Sequence, residues 1–468
     1  MSCQSVFRLS RSAIALAACL LSVSFGAAQD FTITKLPPDT APVSVNTSGQ
    51  VAGNTTSAAF FWTRGGGLQP LGDLGGGVTQ ARAMNDSAVI VGSSSLSDGR
   101  IHAFRWTSTG GMVDLGSPQG GDSIALFVNA TGDVAGYSYP SAAPRDPHAF
   151  FWSASTGAID LGVTGFNSQS FPDALNDSGE VVGYEYSNGS GFTAFRWTLA
   201  GGMETIGNFQ VPFNSPPPMQ LLNETGQVAG FDGSNAAAVW SPGDVLSEIG
   251  TLPPDQTSTG LFINQAGHVV GTSKFKFCCG KERTFLWTSQ TGITDIGNLP
   301  KHPNSRNIPY GLNNRDQVVG MNGAAYFWSG DTGYRQVAGI TFKLATQLSR
   351  AFNDAGQMLG FGPGYKNAVV ASPAMHVVLS SSQNPSQAGQ SVTFTASVSA
   401  VVGLPPDGEL VTFKDGAKVL GTGPLSGGIA TITTSTLGVK THNISATYAG
   451  DVNYLPSKPV KLSQVVSP

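Results

Sequence analysis

His102 and His148 occupy the same place in two stretches that share the pattern His-Ala-Phe-x-Trp. Two imidazoles at matched positions could begin a metal site, but a metal needs further ligands close by. Other copies of the pattern carry Ala58, Ala236, Arg283 and Ala324 at that position. The expectation is therefore that both histidines pack near an aromatic face. His268, His302, His376 and His442 share no spacing with them and form no zinc pattern. Asp86, Asp177 and Asp354 each follow an Asn and could be read as calcium ligands. They lie in different copies, a twelve-residue Asp-rich loop is absent, and turn formation explains them without metal. No Gly-x-Ser-x-Gly elbow, phosphate loop or His-Glu-x-x-His motif occurs. Catalytic, cofactor-binding and metal residues are thus assigned to none, and no cofactor is expected.

One further candidate is the adjacent pair Cys278-Cys279, which could close a vicinal disulfide in an oxidising compartment. Lys274, Lys276, Lys281 and Arg283 would make its surroundings basic. A loop staple on an ordinary solvated loop is the plainer reading. Asn-x-Ser/Thr sequons fall at Asn46, Asn54, Asn85 and Asn176, and three of these belong to a repeated turn.

The elements that hold these residues come from a unit of about 44 residues, repeated eight times and readable as four β-strands per copy. All seven tryptophans fall at one repeat position: Trp62, Trp106, Trp152, Trp197, Trp240, Trp287 and Trp328. An aromatic usually stands two residues before each, and a small residue, usually Ala, three before. Strand side chains alternate faces, so the aromatic pair points to one face and the Ala to the other, where a neighbouring sheet can approach. Burying a Trp of roughly 200 Å² contributes on the order of 5 kcal/mol as an upper bound. These tryptophans are the expected repeat core.

A hairpin precedes each unit's second strand. Its turn opens with Asn and usually ends in Gly, as in Asn46 to Gly49 and Asn176 to Gly179. Asn bonds its own backbone and Gly takes positive φ, which suits a tight turn. Asn85 and Asn313 begin the two copies with Ala88 and Asp316 in place of Gly. The second strand then reads Val-Ala-Gly or Val-Val-Gly, and the fourth ends in Leu-Gly or Ile-Gly.

The eighth copy supplies a hairpin over Ala351 to Gly360 and a third strand over Ala368 to Ser372, but no fourth. Leu36-Pro37-Pro38-Asp39 repeats Leu252-Pro253-Pro254-Asp255, which follows the fourth strand of copy five. Phe31 to Leu36 is therefore expected to complete copy eight and close a ring without sheet edges. The fold expected is an all-β, eight-bladed β-propeller of four-stranded blades, with a seven-bladed ring as the alternative.

The intact His-Ala-Phe strands, followed by Asp114 to Gly116 and Asp160 to Gly162, resemble the bacterial extracellular HAF repeat. The resemblance covers residues 31–372 and implies secretion and a propeller-like fold, with no established activity. Residues 376–468 lack Trp and read as seven short strands, which suggests an immunoglobulin-like β-sandwich without a disulfide. Within them Tyr448-Ala449-Gly450-Asp451-Val452-Asn453-Tyr454 resembles the late-strand motif of bacterial Ig-like repeat domains. The expected division is a signal peptide over 1–28, the propeller over 29–372 and the sandwich over 373–468.

Arg8 and Arg11, the apolar run from Ala13 to Phe25 and Gly26-Ala27-Ala28 form the signal-peptide pattern. Leu16-Ala17-Ala18-Cys19 offers the alternative of a lipid anchor through Cys19, and a periplasmic location is a further alternative to secretion. No other stretch is long enough to span a membrane. Loss of Arg8 and Arg11 would leave 23 Lys+Arg against 29 Asp+Glu, a balance that argues against nucleic acid. The function expected is that of a secreted, non-catalytic binding or adhesion protein. Its unknown extracellular ligand would be a polysaccharide or surface protein, bound on loops such as Val211 to Pro218 and Ser138 to Asp146. A carbohydrate-active or lactone-active enzyme and a structural surface component are the alternatives. A propeller enzyme can gather catalytic groups at the channel mouth from several blades and leave no local motif.

Overall fold

The computed structural model describes residues 30–142, 146–165, 168–187, 191–212, 220–275, 282–342, 350–365, 367–451 and 453–468. The signal-peptide pattern, Cys19, Cys278 and Cys279 lie outside the described residues, as do parts of both candidate loops.

The fold is all-β. Blade one is typical: Ala41–Val45, Val51–Asn54, Ala59–Thr63 and Gly67–Pro70 form a four-stranded antiparallel sheet in sequence order. Six more four-stranded sheets follow over 75–116, 120–160, 168–205, 209–250, 257–295 and 308–336. Blade eight is built from both ends of the repeat region. Met358–Phe361 and Asn367–Pro373 pair with each other, and Phe31–Pro38 adds as the outer strand, with Phe31 opposite Pro373 and Lys35 opposite Val369. Ala351 and Phe352 supply a short inner segment through the Phe352–Met358 bridge. The ring therefore has eight blades and is closed by the N-terminal strand, as the repeated Leu-Pro-Pro-Asp implies.

Each interface between blades buries the small face of one sheet against the aromatic face of the next. Ala135 and Ala149 of blade three pack with Val181, Phe195 and Trp197 of blade four. The same arrangement recurs between blades two and three, where Ala83 and Ala103 meet Val134 and Phe150. The second-strand Gly leaves room for the ring beside it: a Cβ on Gly136 would lie 2.8 Å from Phe150, and one on Gly183 2.9 Å from Phe195. Blade five has Ala238 where the ring would be, and Phe209 of its own inner strand fills the space over Gly230 instead. Of the repeat tryptophans, Trp62, Trp106, Trp197 and Trp240 are buried, whereas Trp152, Trp287 and Trp328 are half-buried.

The hairpin asparagines do more than shape their own turns. All eight are buried. Each accepts the backbone N–H four residues on through its Oδ1, from Gln50 in blade one to Gln357 in blade eight. The Nδ2 then donates to the carbonyl of the next blade's Asn. Asn85 reaches Asn129 at 2.7 Å, Asn129 reaches Asn176 at 3.0 Å, and Asn176, Asn223 and Asn264 reach Asn223, Asn264 and Asn313 at 3.2 Å each. Asn313 reaches Asn353 at 3.4 Å, and Asn353 closes the circle on Asn46 at 2.7 Å. Blades one and two are joined one residue further on, where Thr47 N–H donates to Asp86 at 2.8 Å.

Residues 376–467 form two further sheets, one of three strands and one of five, packed as a sandwich around Phe394, Phe413 and Tyr448. The sandwich rests on the turns of blades seven and eight. Gln317 Nε2 donates to Val402 O at 3.0 Å, Gln357 Nε2 to Asn453 O at 3.3 Å, and Arg315 to Val402 O at 3.3 Å. The late-strand motif is a turn device: Asp451 Oδ1 accepts the N–H groups of Asn453 and Tyr454 at 2.7 and 2.6 Å.

Three stability changes should follow, each measurable by chemical denaturation. Phe150→Ala, a fully buried ring, should cost about 3–5 kcal/mol. Asn176→Ala, which strips partners from Glu180 N–H and the buried Asn223 carbonyl, should cost ~2–3 kcal/mol. Ala88→Gly, at φ 58°, should stabilise by about 1 kcal/mol. A loss of less than half a kcal/mol in Asn176→Ala would show that the ring is ornamental to stability.

Candidate functional site

In each antiparallel blade the turn between inner and second strands lies on one face, and the loop between second and third strands on the other. The asparagine ring marks the first face, where a second tier of bonds runs outside the ring. Ala130 N–H donates to Asp177, Asp177 N–H to Glu224, Glu224 N–H to Gln265, Gln265 N–H to Asn314 and Asn314 N–H to Asp354, all at 2.6–3.0 Å. Asp86, Asp177 and Asp354 are thus links between blades. Among the described residues no group of three or more His, Cys, Asp or Glu side chains could hold a metal ion.

The histidines have partners that sequence reasoning missed. His102 Nδ1 lies 3.0 Å from Asp114, and His148 Nδ1 3.1 Å from Asp160. Arg283 takes the same place in blade six and bonds Asp295 at 2.9 Å. The expectation that His102 and His148 merely pack near the aromatic face is corrected: each is tied to the Asp of the following strand. The signal was available, because a His or Arg occurs at this position only in copies whose fourth strand carries Asp. His268 joins blades, with Nδ1 2.8 Å from Asp316. Asp316 also accepts from Asn264 Nδ2 at 2.8 Å, which gives a physical reason for Asp in place of the turn Gly. The sequon amides are likewise engaged: Asn54 bonds both backbone groups of Ala81 in blade two.

Two of the buried polar atoms without a partner lie along the inner strands of blades two and four. In most blades the inner strand bulges a few residues before its Asn, leaving one residue outside the ladder. That residue is Val43, Leu126, Leu261 or Tyr310 in blades one, three, six and seven, but Arg82 in blade two and Asp173 in blade four. Asp173 Oδ2 and Arg82 Nε are sealed from water without a hydrogen-bond partner. Arg82 Nη2 reaches Gln80 at 3.2 Å, and among the described residues no carboxylate forms an ion pair with the guanidinium. Burial pushes the Asp173 carboxyl up to about 8 from 3.8 and lowers the Arg82 guanidinium.

A run of half-buried aromatic rings extends from these residues toward the face opposite the asparagine ring. Tyr139 meets Tyr137 edge-on at 5.7 Å, Tyr137 meets Phe171 at 5.4 Å, and Phe171 stacks on Tyr184 at 5.4 Å. Phe192 continues the run, 5.7 Å from Tyr184 and 5.0 Å from Tyr186. Burial, and secondarily the Asp173 carboxylate, push the Tyr184 hydroxyl up to about 12. Tyr137 and Tyr184 follow the second-strand Gly, where other blades carry Asn54, Ser93, Phe231, Thr272, Met321 and Phe361. The Tyr-x-Tyr pairs of blades three and four, and the charged bulges of blades two and four, are departures from the repeat that the sequence displays. They become a site only when the ring brings the three blades side by side. Glu185, between the two tyrosines of blade four, is engaged elsewhere, accepting from Thr164 N–H at 2.5 Å.

Fold and site together define an eight-bladed all-β ring with a polar and aromatic inner surface, joined to an immunoglobulin-like sandwich. Residues 379–467 match the family model of the bacterial Ig-like domain (group 3). No curated protein sequence matches the chain. Solved structures similar to it are loose superpositions. The extracellular domain of the hybrid two component system BT3049 from B. thetaiotaomicron is 9% identical, with 94% of this chain and 68% of that one covered and a TM-score of 0.33. A post-proline cleaving enzyme from Rickettsia typhi gives 9%, 76%, 57% and 0.40, and a puromycin hydrolase 13%, 63%, 50% and 0.38. No helix among the described residues is long and apolar enough to cross a membrane.

The Asp173 shift has a definite sign. The unfolded chain releases this proton near pH 4 and the folded chain holds it to about pH 8, so stability falls as pH rises through that window and is level above it. Asp173→Asn should therefore melt a few degrees above the parent at pH 8 and match it near pH 3.5, by differential scanning calorimetry. Equal melting at both values would mean that Asp173 is solvated.

Proposed function

We propose that this chain is an exported, non-catalytic bacterial binding protein that recognises an extracellular ligand at the channel end opposite the asparagine ring. The observation that carries this reading is the aromatic run of blades three and four beside the unpaired Arg82 and Asp173. Rings with polar tips, held on rigid strands, give a recognition surface at little entropic cost. We assign the repeats to the HAF type, with a leader over 1–28, the propeller over 29–372 and the sandwich over 373–468 acting as spacer or docking module.

A second reading as an extracellular carbohydrate-active enzyme is favoured by one feature: a carboxyl group that keeps its proton to about pH 8 is a candidate general acid.

Purified protein incubated with insoluble polysaccharides and cell-wall preparations separates the two. Binding predicts retention in the pellet without released sugar, and retention at least tenfold lower for the Tyr137→Ala, Tyr184→Ala double variant, checked for folding by circular dichroism. Retention unchanged in that variant would move the site elsewhere. Sugar release that is lost in Asp173→Asn would establish the enzyme reading instead.

A further inference from the structure

Resting on the binding reading above, we infer that the ligand is a saccharide carrying a carboxylate, its sugar rings set against the aromatic run and its carboxylate on Arg82. The argument begins with charge. A guanidinium on an inner strand, with one nitrogen sealed from water and no acidic partner among the described residues, lacks a counter-charge. A ligand carboxylate supplies that charge in bidentate form. The nearby protein groups do not oppose an anion: Asp173 holds its proton through neutral pH, and the Tyr184 hydroxyl is pushed up to about 12. A protonated Asp173 is in addition a donor and an acceptor, the complement of a sugar hydroxyl.

The rings select for the rest of the ligand. Six half-buried aromatics in one contiguous run offer an amphipathic wall. The apolar C–H faces of a pyranose fit such a wall, and its hydroxyls suit the tyrosine oxygens. A simple inorganic anion would use Arg82 and leave the rings idle. A purely apolar ligand would leave Arg82 and Asp173 buried and unsatisfied, which is costly. A sugar acid uses both halves of the site.

The position of the charged residues supports a built site. Arg82 and Asp173 are structurally equivalent bulge residues, two blades apart, flanking Leu126 of blade three at the same level of the ring. Apolar residues fill that level in blades one, three and six, and Tyr310 in blade seven.

The test is titration calorimetry of the full purified chain with an oligogalacturonate and with a neutral oligosaccharide of equal length. The parent should bind the acidic oligomer at least tenfold more tightly. Arg82→Gln should abolish that preference, Arg82→Lys should keep part of it, and Tyr184→Ala should weaken both ligands. Equal affinity for the two oligomers, or a preference that survives Arg82→Gln, overturns the carboxylate assignment while Tyr184 dependence keeps the binding site. If neither oligomer binds but cell-wall material is retained in a Tyr184-dependent manner, the saccharide class is wrong and the site stands. Retention indifferent to Tyr184 removes both. Arg82→Lys, with the charge kept, guards against a variant that fails through folding.

Discussion

A side-chain amide can donate and accept at once, and this ring is organised around that property. Each hairpin Asn uses its oxygen to shape its own turn, and all but Asn46 use their nitrogen to hold the next blade's backbone. Local and long-range structure are therefore specified by the same group. An Asp could not donate to the next carbonyl, and a Ser could not span the gap while still accepting the N–H four residues on. The turn carbonyls thus accept twice, from the N–H three residues on and from the neighbouring blade's amide. The glutamines of blades seven and eight extend the same logic: Gln317 and Gln357 accept from their Asn and donate to the immunoglobulin-like sandwich.

How much of this could be read from residues alone depended on whether the signal was periodic. The Ala-Phe-x-Trp-type strand, the Asn-to-Gly turn and the repeated Leu-Pro-Pro-Asp are periodic, and they specified blade boundaries, the alternating faces and the closure by Phe31–Pro38. The links between blades were not legible as contacts. Nothing in the pattern around Asp177 says that its carboxylate accepts from Ala130 in the preceding blade, because the sequence separation of 47 residues is resolved only by the ring. His102 and Asp114 lie twelve residues apart on adjacent strands, and their joint occurrence in some copies was a usable correlation. The candidate site was visible only as exceptions. Arg82 and Asp173 stand at a position that is apolar in blades one, three and six and carries Gln220, Tyr310 and Arg350 in blades five, seven and eight, and Tyr137 and Tyr184 interrupt a column of unrelated residues.

The contrast between the turn face and the inner surface follows from this division of labour. Repetition perfects one face: every blade offers the same turn, so hydrogen bonds can close on themselves almost all the way round. The inner surface departs from the repeat in blades two, three and four, where Arg82 and Asp173 each bury a polar atom without a partner. A repeat architecture can tolerate such departures because each blade's packing depends mainly on its two neighbours. Binding groups can accumulate on one sector while the opposite ring holds the geometry.

The shared blade has a mechanical consequence. Phe31 pairs with Pro373, so the strand that closes the ring and the strand that leads to the sandwich part company at the same end of an antiparallel pair. Tension applied between the N-terminus and the C-terminal unit would peel their perpendicular hydrogen bonds apart one after another, instead of loading them together in shear. The closure is thus a seam aligned to unzip when the N-terminal strand and the sandwich are pulled apart.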